Sequence, residues 1–236
     1  MLSAVVLAKD NETIPEKCRK SLAFCDEVKI IHKAGNFAEK RNFGMAEVRG
    51  EWILFIDSDE EVSEELVTEI KRIVADEKTS KIAYYIKRRD FWWGRELKWG
   101  EVLQARRKGF IRLIKKDSGR WIGAVHESFK SIGSVGQLNS FINHHPHPTI
   151  SEFIADINFY STLRADELFK QGKKTNVFKL IFFPTAKFLY TCIILLGFLD
   201  GAAGFVYSFL MSFHSFLVRS KLYIKGQDPS TSSRQT

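Results

Sequence analysis

The 236-residue sequence is short of cysteine: Cys18, Cys25 and Cys192 form neither an even set nor a CxxC pair. Neither a disulfide framework nor a cysteine zinc site is therefore expected, and free thiols fit a reducing compartment. A basic stretch ahead of the first apolar run is also missing. Met1 leads straight into Leu2–Ala8, and Lys9 and Asp10 close the run early. No secretory signal is expected, and the bulk of the chain is expected in the cytosol. There is no internal repeat. Acidic residues are outnumbered, 28 against 36 Lys and Arg, giving a net charge of +8. A basic surface suits nucleic acid, anionic headgroups or phosphorylated substrates. RNP, helix-turn-helix and zinc signatures are absent, and the charge gathers around apolar C-terminal segments. No nucleic acid is expected as a partner, and the membrane is favoured.

Hydrophobic residues (44%) and charged residues (27%) are present in globular proportion. Residues 2–8 read as a buried strand, and Pro15 suits the first turn of a helix carrying Ile14, Cys18 and Leu22. Val28–Ile31 reads as a second strand, Phe37–Val48 as a helix, and Trp52–Ile56 as a third, fully apolar strand. Ser63 is an N-cap, with Glu64 and Glu65 on the positive end of the following helix dipole. That helix shows Leu66, Val67, Ile70, Ile73 and Val74 on one face. Ile82–Ile86 reads as a fourth strand. Such alternation predicts an α/β fold with a mostly parallel, Rossmann-like sheet whose ligands sit at the carboxyl ends of strands. Residues 90–150 are rich in Trp, Gly and Arg and read as irregular. Residues 151–171 read as a helix with Phe153, Ile157, Tyr160 and Leu163 as its apolar side. The expected division is a catalytic domain over 1–150, membrane-associating helices over 151–225 and a disordered tail over 226–236.

The strongest chemical signal is Asp57-Ser58-Asp59 directly after a buried strand. Two carboxylates one residue apart at a strand end can converge on a hard divalent cation, Mg²⁺ or Mn²⁺, which takes oxygen ligands and fills its remaining positions with water and phosphate. The plainer reading is a solvated acidic turn leading into the next helix. A phosphatase of the haloacid dehalogenase type also carries DxD after a strand, but Glu61 stands where it would have Thr or Val. His144, His145 and His147 have spacing that can bind a transition metal, but no Cys or carboxylate accompanies them nearby in sequence. A joining loop is the preferred reading there.

LAKDNE at 7–12, EKRNFGM at 39–45, GEWILFIDSDEEVSEEL at 50–66 and RLIKKDSGRWIGAVHE at 112–127 occur in the order seen in family 2 glycosyltransferases. Over roughly residues 2–220 the chain resembles the non-processive bacterial members that build lipopolysaccharide core and related surface glycans. The resemblance implies a GT-A fold with a C-terminal hydrophobic helical appendage. It also implies an inverting, metal-dependent enzyme on the cytoplasmic face of the inner membrane, moving one sugar from a nucleotide-diphosphate donor to a glycan or lipid-linked acceptor.

Site residues carried over are Asp10, Asn11 and Glu12 at the nucleotide, Lys40, Arg41 and Asn42 at the donor, and Asp57 and Asp59 at the cation, with Asp57 also touching the donor. Arg41 is favoured for a two-pronged grip on phosphate or carboxylate. Glu127 of the His126-Glu127 pair is the candidate general base, removing the acceptor hydroxyl's proton opposite the leaving diphosphate, with His126 orienting it or touching phosphate. Arg112, Trp121 and Gly123 would shape the sugar and acceptor pocket. The QxxRW signature of processive relatives has no match, which favours single-sugar transfer. One departure stands out: after Ile31 about twenty residues of the family pattern are missing, including an acidic residue that reads the nucleotide. The alternative is therefore a catalytically weakened, transferase-like binding or scaffold protein. Self-association is left open.

From Val177 to Val218 the chain is almost continuously apolar, broken at Asp200-Gly201 and flanked by Lys170, Lys173, Lys174, Arg219, Lys221 and Lys225. Two helices lying in or dipping into the inner leaflet are expected, ahead of a two-span hairpin or a soluble core.

Overall fold

The computed structural model describes residues 1–9, 12–32, 35–123 and 127–227. In chain order its elements are β1 (Leu2–Leu7), α1 (Glu16–Ser21), β2 (Glu27–Ile31), α2 (Phe37–Glu47), β3 (Trp52–Asp57), β4 (Glu60–Val62), α3 (Glu64–Ala75) and β5 (Ala83–Trp92). β6 (Arg95–Leu97), α4 (Leu103–Arg107), β7 (Phe110–Lys115), β8 (Gly119–Ile122), β9 (Ser128–Ser131) and β10 (Val135–His144) follow, then α5 (Ile150–Lys170), α6 (Val177–Leu189) and α7 (Gly201–Gln227). The chain divides into two compact units, residues 1–91 with 104–146, and residues 92–103 with 147–236. Residues 92–103, assigned to the catalytic domain from sequence, cluster with the C-terminal unit.

The first unit is built on a sheet of order β2-β1-β3-β7-β5-β10-β4. β2, β1 and β3 are parallel, as expected from their alternation with helices. β7 then enters antiparallel to both β3 and β5, and β10 runs parallel to β5 but antiparallel to β4. The sheet is therefore mixed rather than mostly parallel. The unbroken apolar runs of β1 and β3 follow from burial on both faces. Leu2, Ala4, Val6, Trp52, Leu54 and Ile56 join one core, which includes Leu22, Leu66 and Ile70 of the α1 and α3 side. Val5, Leu7, Ile53 and Phe55 point into the other, with Ala38, Trp121 and Phe129.

Local signals account for the helices. Ser63 caps α3 by accepting from Leu66 N–H, and Asn36 forms a capping box with Glu39 at the start of α2. Pro15 stands at the N-cap of α1 rather than inside its first turn. α2 buries Ala38, Arg41 and Gly44. The small residues let it lie close to β1; a Cβ on Gly44 would sit 2.5 Å from Val5 Cγ1. Arg41 is the one long side chain among the three residues that α2 buries fully. β2 is the sheet edge, and only residues 32–36 separate it from α2.

In the second unit, α5 packs along α7. Its buried stripe is Phe153, Ile157, Ser161 and Ala165, a run of i, i+4 steps. Of the other two residues expected on that side, Tyr160 is half-buried and Leu163 is exposed. Trp92 stacks edge-on against Phe153 (5.6 Å) and Tyr207 (5.4 Å). α6 carries Pro184 and passes into a π turn over Tyr190–Ile194 and a 3₁₀ turn over Gly197–Asp200. Between these turns Leu196 is left-handed, with φ 59°. Val177–Ile194 and Gly197–Gln227 are each long and apolar enough, by length and composition, to cross a membrane. Gly226 and Gln227, expected in the tail, continue α7; residues 228–236 lie outside the described residues.

Candidate active site

Asp57 ends β3, at the carboxyl edge of the parallel strands. Its Oδ1 accepts from Arg41 Nη2 at 3.1 Å and its Oδ2 from Arg112 Nη2 at 2.7 Å. Glu127 stands directly before β9. Its Oε1 accepts from Arg41 Nε and Nη2, both at 3.3 Å. One guanidinium nitrogen thus joins the DxD carboxylate to the candidate base.

Arg41 is 2% exposed, while Asp57 and Glu127 are 26% and 21% exposed. The cation is buried and its two anions reach the surface. Phe55 and Trp121 flank the guanidinium, with ring centroids 5.4 and 4.9 Å from its carbon. Trp121 is held in turn by Asn42, whose Nδ2 donates to Trp121 O and whose Oδ1 accepts from Trp121 N, both at 2.9 Å. Asn42, expected at the donor, has its amide committed to the β8 backbone and fixes the hairpin that presents Glu127.

Arg112 also donates to Glu60 Oε1 at 2.9 Å, and Glu60 Oε2 accepts from Asp57 N–H at 3.0 Å. Burial would raise the Asp57 carboxyl, but Arg112 and then Arg41 outweigh it and hold it far below the usual carboxylate range. Burial lifts Glu60 above its ordinary value against the pull of Arg112. Among the described residues, Nη1 of Arg41 and Nη1 of Arg112 are buried without an acceptor.

Asp59 faces another group. Strand register sets His144 opposite Glu60 on β4 and Asp90 on β5. His144 Nδ1 lies 2.6 Å from Asp90 Oδ1, and its Nε2 lies 3.2 Å from Asp59 Oδ2. Burial and Arg88 oppose its protonation, yet Asp59 and Asp90 prevail and push it up to about 9. At neutral pH it is an imidazolium donating from both nitrogens. His145 Nε2 meets Glu61 at 3.2 Å, and His147 Nδ1 meets Asp156 at 3.3 Å. The three histidines therefore serve four different carboxylates, and among the described residues no ready-made cluster of three metal-binding side chains occurs.

Glu12 accepts from Ser58 Oγ at 2.8 Å, which ties the loop after β1 to the centre of the DxD turn. Lys40 Nζ is 3.4 Å from Ala8 O, beside the same strand end. Asp10, Asn11 and His126 lie outside the described residues. Glu12, Lys40, Arg41, Asp57 and Glu127 converge, and Asp59 borders them. Sequence reading missed Glu60, Asp90 and the role of His144. Glu60 was legible only as part of an acidic turn, and Asp90 sits in a stretch with no periodicity.

For a divalent cation, the donor set fits through Asp59. Its carboxylate is 43% exposed and, among the described residues, pairs with the exchangeable imidazolium of His144. Asp57 has both oxygens on buried guanidinium groups and would have to release one of them.

The acidic turn and the carboxylate–guanidinium–carboxylate bridge stand at the strand ends of a mixed α/β sheet, the GT-A type of architecture that the sequence resemblance implies. The profile of Glycosyl transferase family 2 matches residues 4–128, just over half of the chain, and the protein belongs to that family. A lipopolysaccharide core biosynthesis glycosyltransferase, LpsC of Rhizobium meliloti, is 26% identical over 246 residues, covering 89% of this chain and 89% of that protein. An uncharacterized glycosyltransferase of Rickettsia typhi is 29% identical over 228 residues, covering 92% and 77% respectively. Among solved structures, S. aureus TarS 1–349 in complex with UDP-GlcNAc aligns over 97% of this chain and 93% of that one, at 13% identity and a TM-score of 0.42. That likeness is too slight to carry residue roles across.

Proposed function

We propose that this glycosyltransferase moves a single sugar, with inversion, from a nucleotide-diphosphate donor to a hydroxyl of a lipid-linked or surface-glycan acceptor at the cytoplasmic face of the membrane. The observation that carries the proposal is the shared Arg41 nitrogen, which brings Glu127 to the DxD turn.

Glu127 is the base. Its partly exposed carboxylate can meet an acceptor hydroxyl and take its proton as that oxygen attacks the anomeric carbon. Arg41, itself flanked by Phe55 and Trp121, holds Glu127 in place, so little reorganisation is needed at the moment of attack. The unpartnered Nη1 donors of Arg41 and Arg112 supply positive charge suited to an anionic oxygen beside Asp57, and Lys40 adds charge at the end of β1. Glu12 and Ser58 brace the loops that would frame the nucleotide. Asp59 would hold Mg²⁺ or Mn²⁺, with His144 as its neighbour. When bound, the ion offsets negative charge on the departing nucleoside diphosphate.

The reading is tested with a panel of nucleotide-sugars and Mn²⁺. Glu127→Gln should keep the donor-induced rise in melting temperature while losing turnover by about 10²–10⁴-fold. Asp59→Asn should lose the Mn²⁺-dependent part of donor binding. Near-native turnover in both variants would refute the assignment. Donor binding without turnover in the native protein would instead support the weakened, binding-only alternative.

A further inference from the structure

Asp200 is the one carboxylate between Leu168 and Gln227, and it is buried at the tip between the two apolar helices. It accepts from the backbone N–H groups of Lys98 and Trp99, both at 2.8 Å. Gly100 N–H donates to Leu195 O at 2.9 Å, and Lys187 Nζ pairs with Glu101 at 2.6 Å. A Cβ on Gly100 would come within 3.2 Å of Gly197 Cα. The segment 92–103 is thus bolted to the hairpin tip by hydrogen bonds, an ion pair and close backbone contact.

Both ends of that segment continue into the catalytic unit, at Phe91 and Gln104. Half its length, fully stretched, reaches about 20 Å. A bilayer's hydrocarbon core is roughly 30 Å thick. The tip therefore cannot stand on the opposite side of a membrane from the catalytic unit. α7 also carries α5 with it: Lys225 Nζ meets Asp166 at 2.8 Å and Lys221 Nζ meets Asn158 Oδ1 at 2.8 Å. A crossing α7 would draw Asp156, Arg164, Asp166 and Glu167 of α5 into hydrocarbon, at a prohibitive cost.

The hairpin nevertheless exposes a large apolar face. Phe178 (70%), Ile181 (67%) and Ile194 (67%) stand out along α6 and its π turn, and Phe205 and Phe209 continue the face on α7. Lys170, Lys173, Lys174 and Lys179 are exposed at its α6 end. An exposed apolar face flanked by these lysines is complementary to anionic headgroups over acyl chains. We propose that α6 and α7 form a non-crossing anchor, seated in one leaflet of an anionic bilayer with the Asp200 tip on the catalytic side.

The full chain, expressed in bacteria, tests this with single replacements at exposed tip positions, Leu199→Cys and Ala202→Cys, compared with the parental protein. A membrane-impermeant maleimide added to intact spheroplasts should label neither, while both should react once the cells are lysed in detergent. Labelling in intact spheroplasts would overturn the non-crossing anchor. A triple Phe178→Glu, Ile181→Glu, Phe182→Glu variant should lose at least tenfold in co-sedimentation with phosphatidylethanolamine–phosphatidylglycerol vesicles. Undiminished sedimentation of the triple variant would overturn the assigned face. Failure of the parental chain to bind vesicles, including its recovery as a soluble dimer, would overturn lipid as the occupant. None of these readouts depends on transferase activity.

Discussion

Replacing Arg41 with methionine, a neutral side chain of similar length, removes the cation that joins Asp57 to Glu127. Breaking a fully buried ion pair by deleting one partner costs about 3–5 kcal/mol. Arg41 itself is 2% exposed, but its two carboxylates are 26% and 21% exposed, so water takes over part of their solvation. Methionine keeps some contact with the Phe55 and Trp121 rings. Arg112 stays on Asp57 at 2.7 Å and limits the repulsion between Asp57 and Glu60. The expected loss is about 3 kcal/mol, the low end of that range. For a chain of this size it corresponds to a fall in melting temperature of about 9 °C. Glu127 is also freed, so turnover should fall at least tenfold, mainly in kcat. Arg41→Lys should recover part of the stability, because it restores charge, but not the full turnover, because an ammonium loses the second, Nε contact to Glu127 and the planar stacking on Trp121. Scanning calorimetry and a donor-turnover assay check this. An Arg41→Met protein that melts within about 2 °C of the native one and turns over normally would refute the bridge.

Asn42→Ala should cost about 2 kcal/mol in urea unfolding, since two hydrogen bonds to Trp121 are lost, and should lower kcat by loosening the hairpin. Gly109→Ala should destabilise by about 3 kcal/mol or more, because its φ is +74° and a Cβ would meet Ile86 O at 1.8 Å; chemical denaturation reads the loss. His144 is raised from 6.5 to about 9 on folding, so its stabilising share is complete below pH 6.5 and disappears as pH rises through 9. In chelator, stability should fall by roughly 3 kcal/mol across that window, and His144→Gln should flatten the fall. A native profile as flat as the variant's would contradict the Asp59–His144–Asp90 arrangement.

The parallel half of the sheet was readable because strands buried on both faces are apolar runs, as in β1 and β3. Ser63 announced α3 through its cap and the amphipathic stripe behind it. β5 extends beyond its expected end at Ile86 to Trp92 because Arg88 and Asp90 neutralise each other, paired at 2.9 Å, so charge there does not end the strand. The antiparallel β7 was not legible: its orientation depends on which neighbours it finds, and the sequence FIRLIK does not encode that. Asp57, Arg41 and Glu127 could be named from motif order, and the structure brings them together through Arg41. The positions of Asp90 and His144 follow from strand register, which a run without periodicity conceals. The hydrogen bonds of Asn42, named at the donor from the same motif, to the Trp121 backbone were not legible, because they join positions 79 residues apart.

The most direct measurement is single-turnover sugar transfer by Glu127→Gln beside the native protein, with donor affinity read in parallel. Donor affinity should be unchanged and the rate constant lowered by about 10²–10⁴-fold. A rate constant within a few fold of native would contradict Glu127 as the base.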